Sequence, residues 1–133
     1  INSYIFKTAN KNNTIVFHNS SDSKKIKILK KKGITLIKSK VDGNRLFDLR
    51  IIIKKLYSLG TRNLLVEGGD VITKNLIKNR LIDKFYLFKS SKYMKTCTKH
   101  KSFTSFKILN NRYRKKNKIS SKLAKDNIII YKK

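Results

Sequence analysis

Apolar and polar positions fall in blocks along the chain, and each block carries its own period. Residues 14–18, Thr-Ile-Val-Phe-His, form a β-branched and aromatic run that predicts a short buried strand. Ser20-Ser21-Asp22-Ser23 follows and supplies N-cap oxygens for a lysine-rich helix over 23–32, with Gly33 closing it. Residues 34–37 predict a second strand, and Val41-Asp42-Gly43-Asn44 a turn. Asp48 is placed to cap the next helix, where Leu49, Ile52, Ile53 and Leu56 share one face at i, i+3, i+4 and i+7, and Gly60 ends it. Residues 63–66, Asn-Leu-Leu-Val, predict a third strand, apolar enough to be covered on both faces as in a parallel sheet. Gly68-Gly69 breaks it. A helix is expected over 70–79 with Val71, Ile72, Leu76 and Ile77 inward, then a fourth strand over 83–88.

Beyond Ser90 the pattern weakens. Residues 89–101 are polar and loop-like, 103–109 alternate roughly as a strand, and 110–122 are basic and predict a loop at a hairpin end. Residues 127–131 predict a last, antiparallel strand near a sheet edge. The order is β-α-β-α-β-α-β with a hairpin-like tail. That order predicts one α/β domain over residues 1–133 with a largely parallel sheet. No apolar run is long enough to cross a membrane, and no signal-peptide pattern opens the chain.

The charge changes this picture less than its size suggests. Lys and Arg number 34 against 7 Asp and Glu, a formal +27, which by itself points to nucleic acid. The excess is lysine (28 Lys, 6 Arg), whereas specific recognition favours the arginine fork. It is also spread along the whole chain. Lys, Ile and Asn (28, 18 and 13) account for 59 residues, and all three have A/T-rich codons. Composition bias therefore accounts for much of the charge, and nucleic acid is not the expected partner. Attraction for anionic ligands remains. Phe85, Tyr86 and Phe88 read as core and strand residues rather than a base-stacking platform. Cys97, alone, excludes an internal disulfide and a multi-cysteine zinc site, and reads as an incidental thiol that fits a cytoplasmic setting. His18 and His100 lack the company of metal ligands, so no metal is expected. His18 reads as an ordinary strand-end residue. No zinc-deaminase signature and no Ser-His-Asp or Cys-His constellation is present.

The junction Leu64-Leu65-Val66-Glu67-Gly68-Gly69 is the sharpest chemical signal. Ligands of open α/β sheets bind at the carboxyl ends of strands. A Gly-Gly pair permits a tight turn and close approach. The following helix offers unpaired N–H groups and a positive dipole end to a phosphate. Glu67 is the only glutamate in the chain and a candidate acceptor for ligand N–H or O–H groups. Asp70 favours the helix dipole but opposes a nearby phosphate. A plain strand-to-helix turn is the alternative, since two glycines are less specific than a full phosphate loop.

Four segments carry a resemblance: Gly60-Thr61-Arg62-Asn63-Leu64-Leu65-Val66-Glu67-Gly68-Gly69, Leu76-Ile77, Leu81-Ile82-Asp83-Lys84-Phe85-Tyr86-Leu87-Phe88 and Asn127-Ile128-Ile129-Ile130-Tyr131. Together they resemble the reductase domain of the bifunctional riboflavin-biosynthesis deaminase/reductase, over nearly the whole chain and tightly over residues 60–88. The resemblance implies a dihydrofolate-reductase-like fold, with a mostly parallel sheet, flanking helices and an antiparallel C-terminal edge. It implies NADPH-dependent reduction of a phosphorylated pyrimidine, 5-amino-6-(5-phosphoribosylamino)uracil, from the ribosyl to the ribityl form. Glu67 then matches the substrate contact, and Gly69, Asp70, Val71, Ile72, Thr73, Lys74 and Asn75 match the NADPH contacts. No catalytic acid or base is identified. The family's domain begins earlier and follows a zinc deaminase domain, so this chain is expected to be an N-terminally truncated piece. Pairing into a homodimer is a further expectation. A basic nucleic-acid-binding module and an inactive fragment that keeps only the fold are the alternatives.

Overall fold

Side-chain caps decide where the first long helices begin. The computed structural model describes residues 4–9, 14–91, 104–120 and 126–133. Cys97, His100 and most of the polar stretch 89–101 lie outside them. The chain forms two compact units, Ile1–Asn63 and Leu64–Lys133.

The first unit holds α1 (Tyr4–Thr8), β1 (Ile15–His18), α2 (Ser23–Lys31), β2 (Thr35–Lys38) and α3 (Leu49–Ser58). Only α1 has no counterpart in the sequence-based expectation. Strands β1 and β2 pair in parallel from Ile15↔Thr35 to His18↔Lys38, with α2 as the crossover. Asp22 caps α2 by accepting the Lys25 N–H at 3.0 Å, and Gly33 leaves the helix at φ 78°. Asp48 caps α3 by accepting the Arg50 N–H at 2.9 Å. Leu49, Ile52, Ile53 and Leu56 form the half-buried face of α3, while Ile51 and Tyr57 are exposed. The expected turn is held by the Asp42 carboxylate, which accepts the Asn44 and Leu46 amides at 2.9 Å each.

The second unit holds α4 (Asp70–Lys78), β3 (Lys84–Lys89), α5 (Phe106–Arg112), β4 (Lys115–Ser120) and β5 (Asn127–Lys132). Its sheet is antiparallel in the order β3-β5-β4. Ile77, Leu109, Tyr113 and Tyr131 form the core, with Phe85, Leu87 and Ile129 packed against them. The Phe85 and Tyr131 rings meet edge-on at 6.2 Å. Both buried phenols keep a partner: Tyr113 donates to the Ile82 carbonyl at 3.1 Å, and Tyr131 to Asn110 Oδ1 at 3.2 Å.

Five expectations are corrected. Residues 63–66 form no strand, and Leu64, Leu65 and Val66 are exposed. An apolar run becomes a strand only when a ladder partner satisfies its backbone, and among the described residues none pairs here. The parallel pairing is therefore confined to β1 and β2, and the architecture is mixed α/β rather than mostly parallel. Residues 106–112 are helical, not extended, because Leu109 and Tyr113, four apart, both enter the core. Residues 115–120 form an edge strand in place of a loop, and its lysines suit an edge that must stay soluble. Finally, β5 lies at the centre of its sheet rather than near an edge.

Truncating the core isoleucine and an exposed one separates these environments. Ile77→Ala is expected to cost about 2–5 kcal/mol in urea unfolding, whereas Ile51→Ala is expected to stay within about 0.5 kcal/mol of the parent.

Candidate functional site

Helix α4 is built in two halves. Its C-terminal part buries Leu76 and Ile77 in the core. Its N-terminal part does not follow them: Val71 and Ile72, expected inward, are 64% and 42% exposed. Residues 62–69, which lead into the helix, are exposed as well. The first turn of α4 is thus exposed while its last turn is buried through Leu76 and Ile77.

The glycine pair divides the work. Gly69 is the N-cap, at φ −69° and ψ 174°, and no side chain caps the helix there. That backbone suits any residue, and a Cβ built on Gly69 meets nothing within 4 Å among the described residues. Among the described residues, neither folding strain nor local packing requires a glycine at 69, and its small size leaves open space in front of the helix N-terminus. Gly68 is different. A Cβ there would run into the Ile72 side chain, whose β-branch is stiff in a helix. Close approach is the reason for Gly68, and neither glycine needs a positive φ.

Asp70 does not project freely into the site. Its carboxylate accepts the Thr104 N–H at 3.2 Å, the Thr104 hydroxyl at 2.5 Å and the buried Ser105 hydroxyl at 3.1 Å. These bonds, the Thr104 hydroxyl foremost, hold its pKa below the usual carboxylate value against some desolvation, and Lys74 adds to the effect. The opposition between Asp70 and a phosphate is therefore reduced, because three donors already face the charge. Thr104 and Ser105 carried no signal in the sequence, being 34 and 35 residues away. At the other end of α4, the Arg112 guanidinium donates to the Lys78 carbonyl at 2.6 Å.

The expected ligand contacts sort accordingly. Glu67 is exposed, one residue before the close Gly68–Ile72 contact. Gly69, Asp70, Val71 and Ile72 border the open helix start, with half-buried Lys74 one turn on. The Thr73 amide donates to the Gly69 carbonyl at 3.2 Å, and the Asn75 carboxamide accepts from Asn79 at 2.7 Å, so both are engaged within the helix. In the first unit, Asp22 is the cap of α2, and Ser20 accepts the Asp22 N–H at 3.1 Å in the turn just before it. His18 Nδ1 is buried without a partner among the described residues, an unmet polar group that spacing alone did not reveal. No cluster of three metal-ligating side chains occurs among the described residues. No helix there is long and apolar enough to cross a membrane.

In comparison with protein families, the model of the RibD C-terminal domain matches residues 2–124.

Substitutions at the two glycines should behave oppositely. Gly68→Ala is expected to lower stability by about 1–3 kcal/mol through the collision with Ile72. Gly69→Ser is expected to hold or raise it by a few tenths, because serine is at least as good an N-cap, with thermal unfolding as the measurement. Asp70 should also mark the acid limb of stability. A depressed native carboxylate contributes fully above its ordinary value of 3.8 and loses that contribution as pH falls through the lower folded value. Asp70→Asn is expected to remove this limb, seen as a smaller drop in urea midpoint than the parent shows below that value.

Proposed function

The chain belongs to the RibD C-terminal domain family, a reductase-type domain of riboflavin biosynthesis, and on that premise we propose that it is an NADPH-dependent reductase of 5-amino-6-(5-phosphoribosylamino)uracil. The observation that carries this reading is the uncapped start of α4 behind Gly69. Unpaired N–H groups, the positive end of a helix dipole and the space left by a missing Cβ suit a dinucleotide phosphate. Nearby Lys74 favours the same ligand, and the donors on the Asp70 carboxylate moderate its opposition. The residues present thus fit the cofactor, with the amides around Gly69, Asp70 and Val71 holding phosphate and the exposed Val71 and Ile72 offering apolar surface to a ring.

Bound NADPH supplies a hydride. The chain's own task is to hold two ligands in register. Glu67, ahead of the glycines, is assigned to the pyrimidine substrate, where a carboxylate accepts N–H or O–H bonds and orients the ribosyl group. A dihydrofolate-reductase-like arrangement, a deaminase domain as covalent partner, a paired reductase domain and a cytoplasmic setting all belong to this proposal.

Steady-state kinetics test the assignment. Gly69→Leu should fill the space at the helix start and raise KM for NADPH at least about ten-fold. Glu67→Gln should raise KM for the pyrimidine by roughly ten-fold or more, the loss of one charge-assisted hydrogen bond, and leave KM for NADPH unchanged. Parental constants in both variants would contradict the site.

A further inference from the structure

Among the described residues, the antiparallel sheet of the second unit has one face on the core, and its other face is mixed, with Ile130 buried and Tyr86, Phe88 and Ile119 exposed. Phe85, Leu87, Ile129 and Tyr131 belong to the inner face. Alternation along each strand then assigns the outer face by register. Lys84 lies opposite Lys132, and Lys132 opposite Lys115, so three lysines form a row straight across β3, β5 and β4. The next outer positions on β3 are Tyr86 and Phe88, which are 48% and 68% exposed. Both carry their rings on the surface, so of the three aromatics expected as core and strand residues Phe85 alone packs against the core.

Two features of this face are costly unless something binds it. Like charges directly opposite on neighbouring strands repel, with Cβ atoms about 5 Å apart. None of the three strands contains an acidic residue to relieve the row. Exposed aromatics two apart on one strand form an apolar surface next to that charge. A second copy of the chain is a poor occupant, since a two-fold contact opposes like surfaces and the chain carries +27. A single-stranded nucleic acid answers both features. Its phosphates neutralise lysines, and its bases stack on aromatic faces whatever their sequence. Tyr86 and Phe88, roughly 7 Å apart along the strand, are spaced to carry two successive bases, as sheet-borne aromatics do in RNA-recognition folds.

We propose that the outer face of the β3-β5-β4 sheet is a second binding site, for single-stranded nucleic acid, in which Tyr86 and Phe88 stack bases and the Lys84–Lys132–Lys115 row holds the backbone. This site is independent of the reductase reading, since none of these residues borders the start of α4.

The test is fluorescence anisotropy of a short labelled oligouridylate with the 133-residue chain. Tyr86→Leu and Phe88→Leu keep the surface apolar and remove the stack. Each is expected to weaken binding on the order of ten-fold, while Phe88→Tyr retains it. Replacing the three row lysines by Ala should flatten the slope of log affinity against log salt by about 2, at roughly 0.7 per phosphate contact. Replacing Lys24, Lys27 and Lys31 of α2 by Ala removes the same charge and should change the slope less. Inorganic polyphosphate, which has no bases, should bind the leucine variants and the parent equally. Leucine variants that bind oligouridylate as tightly as the parent would overturn the proposal, leaving only non-specific polycation behaviour. A concentration-dependent dimer that oligouridylate cannot dissociate, and that the leucine variants preserve, would also overturn it by assigning the face to a second copy.

Discussion

The clamping of helix α4 is the constraint on which the rest of the second unit depends. Ile77 is fully buried against Leu109, Tyr113 and Tyr131, which sets the helix on the sheet. Asp70 ties its first turn to Thr104 and Ser105, and Arg112 ties its last turn from the far end of α5. With both ends held, the N-terminal amides cannot drift, although no side chain caps them. Core packing and site geometry are therefore one problem. The same helix that seals the core with its C-terminal half leaves its first turn, behind Gly69, exposed.

That arrangement gives each glycine and each acid near the junction a different reason to be there. Gly68 is dictated by the proximity of Ile72, a matter of packing. Gly69 answers to neither strain nor packing among the described residues, and in the proposed function its small size leaves room for a phosphate. Asp70 would oppose an anion if it were free, and its three donors remove much of that opposition while fastening α5. Only Glu67 stands clear as an exposed carboxylate close to the turn.

Local signals were legible in the sequence where a single element satisfies itself. The Asp22 and Asp48 caps, the Gly33 and Gly60 exits and the apolar face of α3 all depend on neighbours a few residues away, and they read correctly. So did the extent of α4 and the strand character of β3 and β5. What failed depends on distant partners. Residues 63–66 look like a buried strand until pairing is considered, because apolar content does not supply a ladder. The helix at 106–112 is marked only by Leu109 and Tyr113 meeting a core assembled from elsewhere. The run Lys-Lys-Asn-Lys-Ile-Ser of β4 is unreadable as a strand without β5 beside it. The candidate site divides alike: the Glu67-Gly68-Gly69 approach to α4 is local, but the Asp70 link to Thr104 and Ser105 spans more than thirty residues. The charge shows the same division. Composition bias explains why lysines are many, and register decides where three of them line up.

The central claim is that the start of α4 receives the dinucleotide phosphate, and amide chemical-shift mapping with NADPH tests it most directly. The account predicts saturable shifts concentrated at Gly69, Asp70, Val71 and Ile72, removed by a bulky side chain at 69. Shifts absent from these amides and confined to lysine-rich surface would contradict it.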